Sequence, residues 1–540
     1  MPLNLASPGI LIREVDLTQG RVDPTSDKIG GLVGPFAKGP VGTITRVNTE
    51  NDLVELFGEP YDTDNQYETW LTASSYLAYG GVMNIVRADD SDLKNANDTG
   101  ASIKIKSTEH YEELGYPTTP LAGATVIAKN PGSWANDIRV AIIDAQADQR
   151  LVFNQTPGGG TQVAVGMGIT QAISKVVSNT GTGAGTTSLL DGHLKGIITQ
   201  VNSGSVDVKV VSHVSSGGTS TTVDYNNVYK FSGSGNVAVH TAGQSVAYGT
   251  TAITSAVDWF GEQTLAVSSH TVGGTQTTTT IKWNTVADAP GTSSFAAARG
   301  ARNDELHVVV IDGKGTITGN AGTILEKHLN LSKASDAEFS VGAPSYWNKY
   351  LEVNSEYVFA GAGKTSGDRV TTGFDGTGFA TFTDGGWNQK AEDTDGANIF
   401  DAVGPLDLTL SGGKNYDGAG ITTATGSFDA GLGELVSGYG LFENDSETDV
   451  DFLLMGSAAY DEPTARALAT KLIAVAELRK DAVAFISPYR SAVLNTAAQG
   501  SNTAVDIETA TDNVIDFFDP LTSSSYAVFD SGYKYMYDRF

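Results

Sequence analysis

The chain has 540 residues, 40% of them hydrophobic, with 34 Lys and Arg against 62 Asp and Glu and no Cys. Its net charge of -28 repels phosphate backbones and anionic lipid surfaces, so direct nucleic-acid binding and membrane-surface binding are not expected; without Cys there are no disulfides, thiolate metal sites or thiol nucleophiles, which suits a reducing cytosol. No run approaches the roughly 18 apolar residues needed to span a bilayer, and the first residues show no basic region followed by a long apolar one, so a soluble protein without membrane insertion or secretory leader is expected.

The length points to about three or four domains. The chain begins with SPGILIREVD, in which Ser7, Pro8 and Gly9 punctuate a segment whose Ile10, Leu11, Ile12 and Val15, interleaved with Arg13 and Glu14, favour an extended strand. Leu17 to Thr25 reads as a tether. Short apolar runs broken by Gly and Pro follow from Ile29, then a helix whose Thr49-x-x-Asp52 spacing resembles a capping box and which Gly58 ends. Tyr67, Trp70, Leu71, Ser74, Leu77 and Ala78 mark one face of a second helix, stopped by Gly80 and Gly81, and VMNIVRA reads as a buried strand. The acidic stretch Asp89 to Asp98 is expected to face solvent.

From about 90 to 400 the texture changes to Gly, Ser and Thr with alternating Val and Thr, a β-rich pattern. Trp259, Phe260 and Trp283 imply a packed core within it. Helix and strand alternate again near the end. DVDFLLMGSAA and DAVAFISP read as buried strands around the clearest helix, whose inner face carries Ala465, Leu468, Ala469, Leu472, Ile473, Val475, Ala476 and Arg479. Asp461, Glu462 and Pro463 suit its first turn, and Arg479 and Lys480 its last. A further helix is expected from Val505 to Phe518, capped by Thr503 with Asp506. The fold class is therefore an α/β core domain formed from two separated chain segments, with large β-rich inserted domains and an extended N-terminal arm. The expected parts are 1–24, arm and tether; 25–90 with 400–540, the core; 91–150 with 300–399, an intermediate α+β domain; and 151–299, an outer β-rich insertion.

No motif assembles catalytic chemistry. Gly363, Lys364 and Thr365 match the end of a phosphate loop, but the position five residues before Gly363 holds Val358 and no helix follows. The histidines, His110, His193, His213, His240, His270, His307 and His328, never stand three or four apart as paired helical ligands would. Asp445, Glu447 and Asp449 alternate like a calcium loop, yet Val450 replaces its turn Gly and Gly456 its terminal Glu. LSGGK has glycines only after Ser411, so there is no nucleophile elbow. No catalytic residue, metal site or cofactor is expected.

Several segments together resemble one family, the contractile tail sheath proteins of long-tailed bacteriophages. They are SPGILIREVD, GPFAKGPVGTITRVNTENDLVELFGEP with YLAYGGVMNIVRA, GSWANDIRVAIIDA, LTLSGG, DVDFLLMGSAA through VAFISPYR, and SSSYAVFDSGYKYMYDRF, in family order; the match fails from about 150 to 300. The resemblance implies a structural, non-enzymatic subunit that polymerises with itself as stacked hexameric rings around a tail tube protein. Baseplate and tail terminator proteins would be its further partners. It also implies that Ser7 to Val15 form a strand donated to a neighbouring subunit, and that contraction of a metastable lattice drives the tube through a host envelope without nucleotide hydrolysis. Such a protein is made in the host cytoplasm and resides in the virion. Family members continue past the position equivalent to Phe540, so a truncated or incomplete C-terminus is expected. The alternatives are the sheath of a phage-derived injection machine, a carbohydrate-binding module if the aromatics near Trp259 are exposed, and an acidic hydrolase.

Leu472→Asp is expected to abolish cooperative unfolding, because it puts an unpaired charge on the inner helix face. A thermal melt unchanged from that of the unsubstituted chain would show that this face is not buried.

Overall fold

A computed structural model describes residues 29–531 except 61–63, 154–162, 179–186, 216–219, 223–229, 241–246, 273–274, 364–371, 375–378, 382–383, 386, 395, 401, 417–424, 458–459 and 495–504. The chain divides into two compact units. The first takes Met1–Tyr116, Ile127–Asn136 and Leu410–Phe540, and the second Pro117–Val126 and Asp137–Thr409. The protein is mixed α/β with several sheets.

The first unit is organised by a six-stranded sheet. Its strands are β1 (Ile29–Gly34), β2 (Ile44–Val47), β3 (Val82–Arg87), β4 (Phe452–Leu454), β5 (Val483–Ile486) and β6 (Ala527–Phe529), in the order β2-β3-β1-β4-β5-β6. All neighbours are parallel except β2, which pairs antiparallel with β3 at one edge. A parallel strand needs a crossover before its neighbour, and helices supply them: α1 (Glu50–Phe57) and α2 (Asp64–Ala78) precede β3, α3 (Leu432–Gly440) precedes β4, α4 (Glu462–Arg479) joins β4 to β5, and α5 (Ile507–Phe518) joins β5 to β6.

Alternation along the strands divides the side chains between two cores. Leu32, Met83 and Ile85 pack with Phe57, Trp70, Ala73 and Leu77 of α1 and α2. On the opposite face Val33, Val86, Leu453, Ala484 and Ile486 pack with Leu435 and Tyr439 of α3, the inner face of α4 and Phe517 of α5. Helix α3 lies so close to β1 that a Cβ on Gly438 would come within 2.4 Å of Val33 Cγ1. Along α4 the buried residues are Ala465, Leu468, Ala469, Leu472, Ile473, Val475, Ala476 and Arg479. Asp461 caps its first turn by accepting from the Thr464 N–H, and Lys480 ends it in the left-handed region.

Two local expectations need correction. The cap of α5 is Asp506 itself, whose carboxylate accepts from the Thr509 N–H at 3.0 Å; Thr503 lies outside the described residues. The stretch from Asp89 to Asp98 is largely packed rather than solvent-facing. Leu93, Ala96, Asn95 and Asn97 are buried, and both asparagines are used as backbone substitutes. Asn95 Nδ2 donates to the carbonyls of Ile105 and Ala128, and Asn97 Oδ1 accepts from the Thr99 and Ala101 N–H groups. The charge of Asp89 is met by Lys104 and Lys106, each at 2.6 Å.

The second unit is mostly antiparallel. Strands Thr323–Ser332, Glu305–Asp312, Ile138–Asp144 and Leu406–Thr409 form a four-stranded sheet in that order. Beside it in sequence, Ser205–Ser215, Gln149–Phe153, Ala247–Asp258, Gly235–His240, Gly168–Ser178 and Thr187–Asn202 pair successively, and the last returns to the first to close a ring. Leu151, Ile169, Ile198, Val208, Val237 and Val239 fill it. Trp259, Phe260 and Trp283 pack with Ala141, Ile143, Val309 and Ile311 and are buried, so the exposed aromatics that would favour a carbohydrate-binding module are not there. A buried ion pair joins Lys333 Nζ to Asp144 Oδ2 at 2.9 Å, and the Val403 and Gly404 N–H groups complete the carboxylate's shell.

His307 sits buried in this unit with both ring nitrogens in use. Nδ1 accepts from the Asn330 N–H at 3.0 Å, which leaves Nε2 to donate to the Asp288 carbonyl at 2.8 Å. Burial lowers its pKa below 6.5, so as pH falls the unfolded chain takes up this proton first and the folded state loses stability. The thermal midpoint should therefore fall between about pH 7 and about pH 5.5, and His307→Gln should reduce that slope. An identical slope in the variant would contradict this role.

Candidate assembly surface

The parallel strands run β3-β1-β4-β5-β6, the doubly wound order in which ligands usually sit outside the strands' carboxyl ends where the order reverses. That reversal falls between β1 and β4, and protein side chains fill it. Glu68 of α2 accepts from Ser457 Oγ at 2.8 Å and from Arg490 Nε at 2.7 Å. The Tyr439 hydroxyl donates to the Leu454 carbonyl, and burial pushes the Tyr460 hydroxyl well above its ordinary pKa. The crevice is thus closed by an internal ion pair, the buried Tyr439 and the half-buried Tyr460.

The other sequence candidates separate in the same way. A Cβ on Gly363 would lie 2.2 Å from Trp387 Cβ, so close packing accounts for that glycine, and Lys364 and Thr365 lie outside the described residues. Asp445, Glu447 and Asp449 are exposed, and no three His, Asp or Glu are grouped to hold a metal among the described residues. No helix among them is long and apolar enough to cross a membrane. Ser7, Pro8, Gly9, Ile10, Leu11, Ile12, Arg13, Glu14 and Val15 lie outside the described residues. Leu468, Leu472, Ile473, Val475 and Ala476 are brought together on the buried face of α4.

What the sheet leaves open is its far edge. Register places Leu32, Leu454, Phe485 and Val528 side by side across β1, β4, β5 and β6 on one face. Leu32 is fully buried and Leu454 half-buried, but Phe485 is 37% and Val528 44% exposed. Cover from α1 and α2 therefore runs out along that row. On the other face Phe529 stacks on Phe518 of α5 at 4.7 Å and is still 41% exposed. Among the described residues no strand pairs with the outer edge of β6. Parallel sheets are ordinarily covered on both faces, and an apolar, unpaired edge is a site of association. The sequence hinted at this only through the apolar Ala527-Val528-Phe529 run, since burial on one side of a strand is not visible in its own residues.

No family model matches the chain. The tail sheath protein of Vibrio phage KVP40 is 24% identical over 555 residues, covering 100% of this chain and 71% of that protein. The tail sheath protein of Enterobacteria phage T4 is also 24% identical over 555 residues, covering 100% of this chain and 70% of that one. Over its whole length the chain is related to phage tail sheath proteins. Both of these relatives are tail sheath proteins. Two solved sheath tail proteins are also similar. The one from Listeria innocua is 12% identical, covers 43% of this chain and 33% of its own and has a TM-score of 0.15; the one from Desulfitobacterium hafniense is 11% identical, covers 47% and 38% and has a TM-score of 0.14.

The uneven cover predicts uneven mutational cost. Phe485→Ser and Val528→Ser should each change stability by no more than about 1 kcal/mol, as for surface positions. Leu453→Ala, on the covered opposite face of β4, should cost about 2–5 kcal/mol. Denaturant unfolding that ranks all three alike would show that the face is covered after all.

Proposed function

We propose that the chain is the repeating subunit of a contractile phage tail sheath. In this reading subunits polymerise as stacked hexameric rings around a tail tube protein, with baseplate and tail terminator proteins at the two ends, and assemble in the host cytoplasm into the virion. The observation that carries it is the end-to-end similarity to two tail sheath proteins. The sheet built from both ends of the described chain supports a core of 25–90 with 400–540; in this reading an intermediate domain of 91–150 with 300–399, an outer domain of 151–299 and an arm and tether of 1–24 complete the subunit. The arm, Ser7 to Val15, serves as a strand added to a neighbouring subunit, where main-chain hydrogen bonds give strength and alternate side chains give register.

Contraction needs no bound nucleotide in this account. The extended lattice is metastable, and rearrangement of each subunit into a better-packed lattice releases a modest free energy that adds over the length of the tail. Negative-stain electron microscopy of the assembled polypeptide should show stacked sixfold rings around an inner tube, and deletion of Met1 to Asp16 should leave folded subunits that form no tubes. Discrete monomers from the undeleted chain under assembly conditions would contradict the sheath reading. Normal tubes from the deletion would contradict strand donation alone.

A further inference from the structure

We propose that Lys333 and Asp144 are the two halves of an internal isopeptide bond: in the folded chain the Lys333 amine condenses with the Asp144 carboxyl, with loss of water. The inference concerns the second unit alone and does not depend on the sheath reading.

The strands around the pair bring it together. Asp144 ends the strand Ile138–Asp144, and Lys333 directly follows the edge strand Thr323–Ser332. The strand Glu305–Asp312 runs between them. Its Leu306 stands opposite both Asp144 and Leu331, and the Lys333 N–H donates to the Asp304 carbonyl at 2.8 Å. The two side chains therefore meet across the end of the middle strand. Both are fully buried, and Nζ lies 2.9 Å from Oδ2. The buried Trp387 holds its ring centroid 5.4 Å from Nζ. Groups fixed at such a separation react as though each were present at very high concentration. Taking an ammonium and a carboxylate out of water is costly, and condensation removes both charges at once.

The hydrogen bonds already in place are those the new amide needs. The Gly404 N–H donates to Oδ1 at 2.7 Å and the Val403 N–H to Oδ2 at 2.9 Å, while Nζ donates to the Asn303 carbonyl at 3.1 Å. In the reaction one ammonium proton crosses the hydrogen bond from Nζ to Oδ2, leaving a neutral amine beside a carboxylic acid. The nitrogen lone pair attacks Cγ, and the Gly404 N–H stabilises the negative charge that develops on Oδ1. The Cγ–Oδ2 bond then breaks. Oδ2 leaves as water beside the Val403 N–H, carrying the transferred proton and a second one from Nζ. No oxidant, reductant or co-reactant is consumed. In the product Oδ1 is the amide oxygen and keeps the Gly404 N–H, and the proton left on Nζ keeps the Asn303 carbonyl, so both polar groups of the buried amide are satisfied. The bond closes the chain from 144 to 333 into a covalent loop that contains the whole ring of strands in this unit, and such a loop narrows the unfolded ensemble as a disulfide does.

Mass spectrometry of the unsubstituted chain tests this without relying on a variant's ability to fold. After incubation in the folded state and then denaturation, most molecules should be lighter than the sequence by one water. A protease digest should contain a branched peptide that joins the segment around Asp144 to the segment around Lys333. Lys333→Met should abolish both the loss of mass and the branched peptide. A mass equal to that of the sequence in most molecules would overturn the inference. So would a loss of water confined to one unbranched peptide, as dehydration within an Asp-Gly step such as Asp312–Gly313 would give, or a loss that persists in Lys333→Met.

Discussion

Ile29 and Asp451 stand 422 residues apart and hold each other from both sides: the Ile29 N–H donates to Asp451 Oδ2 at 2.8 Å, and the Asp451 N–H donates to the Ile29 carbonyl at 2.8 Å. From that clasp the parallel register Gly30 to Phe452, Gly31 to Leu453 and Leu32 to Leu454 follows. The junction lies in the middle of the six-stranded sheet, so without it β2-β3-β1 and β4-β5-β6 would be two short sheets, each with half a core. Closing so long a loop is less costly than it sounds, since each doubling of loop length adds only about 0.6 kcal/mol. The chain between can therefore lengthen or diverge with little effect on the junction that holds the sheet.

A second tie reinforces the first. Arg87, at the end of β3, is fully buried; it donates to the Gly39 and Ala37 carbonyls and to the Tyr416 hydroxyl, which donates in turn to the Ala88 carbonyl. Burial holds the Tyr416 hydroxyl up at about 12. A third is Arg479 at the end of α4, which donates to the Phe442 and Thr448 carbonyls and pairs with Asp481. These arginines act as connectors between segments distant in sequence.

Legibility followed distance along the chain. The Thr49 capping box was readable because its partners are three residues apart, and both of its bonds form, at 3.1 and 3.2 Å. Helix α4 was readable because eight buried positions repeat at helical period. The same period placed Arg479 on the inner face but gave no hint that its guanidinium would bind the carbonyls of Phe442 and Thr448. The stretch from Asp89 to Asp98 misled because its composition is acidic, while its fate depends on Asn95 and Asn97 reaching Ile105, Ala128 and Ala101. The uncovered row from Leu454 to Val528 was illegible, since it is set by where α1 and α2 end.

Residue-resolved hydrogen exchange of the native protein tests the central claim, that one sheet unites the two ends of the described chain. Amides of β1 and β4 should be among the slowest to exchange in the first unit and should share one opening free energy, because neither strand can leave without the other. If β4 exchanged much faster than β1, with its own denaturant dependence, the two segments would be separate folding units and the account of a single clamped core would fail.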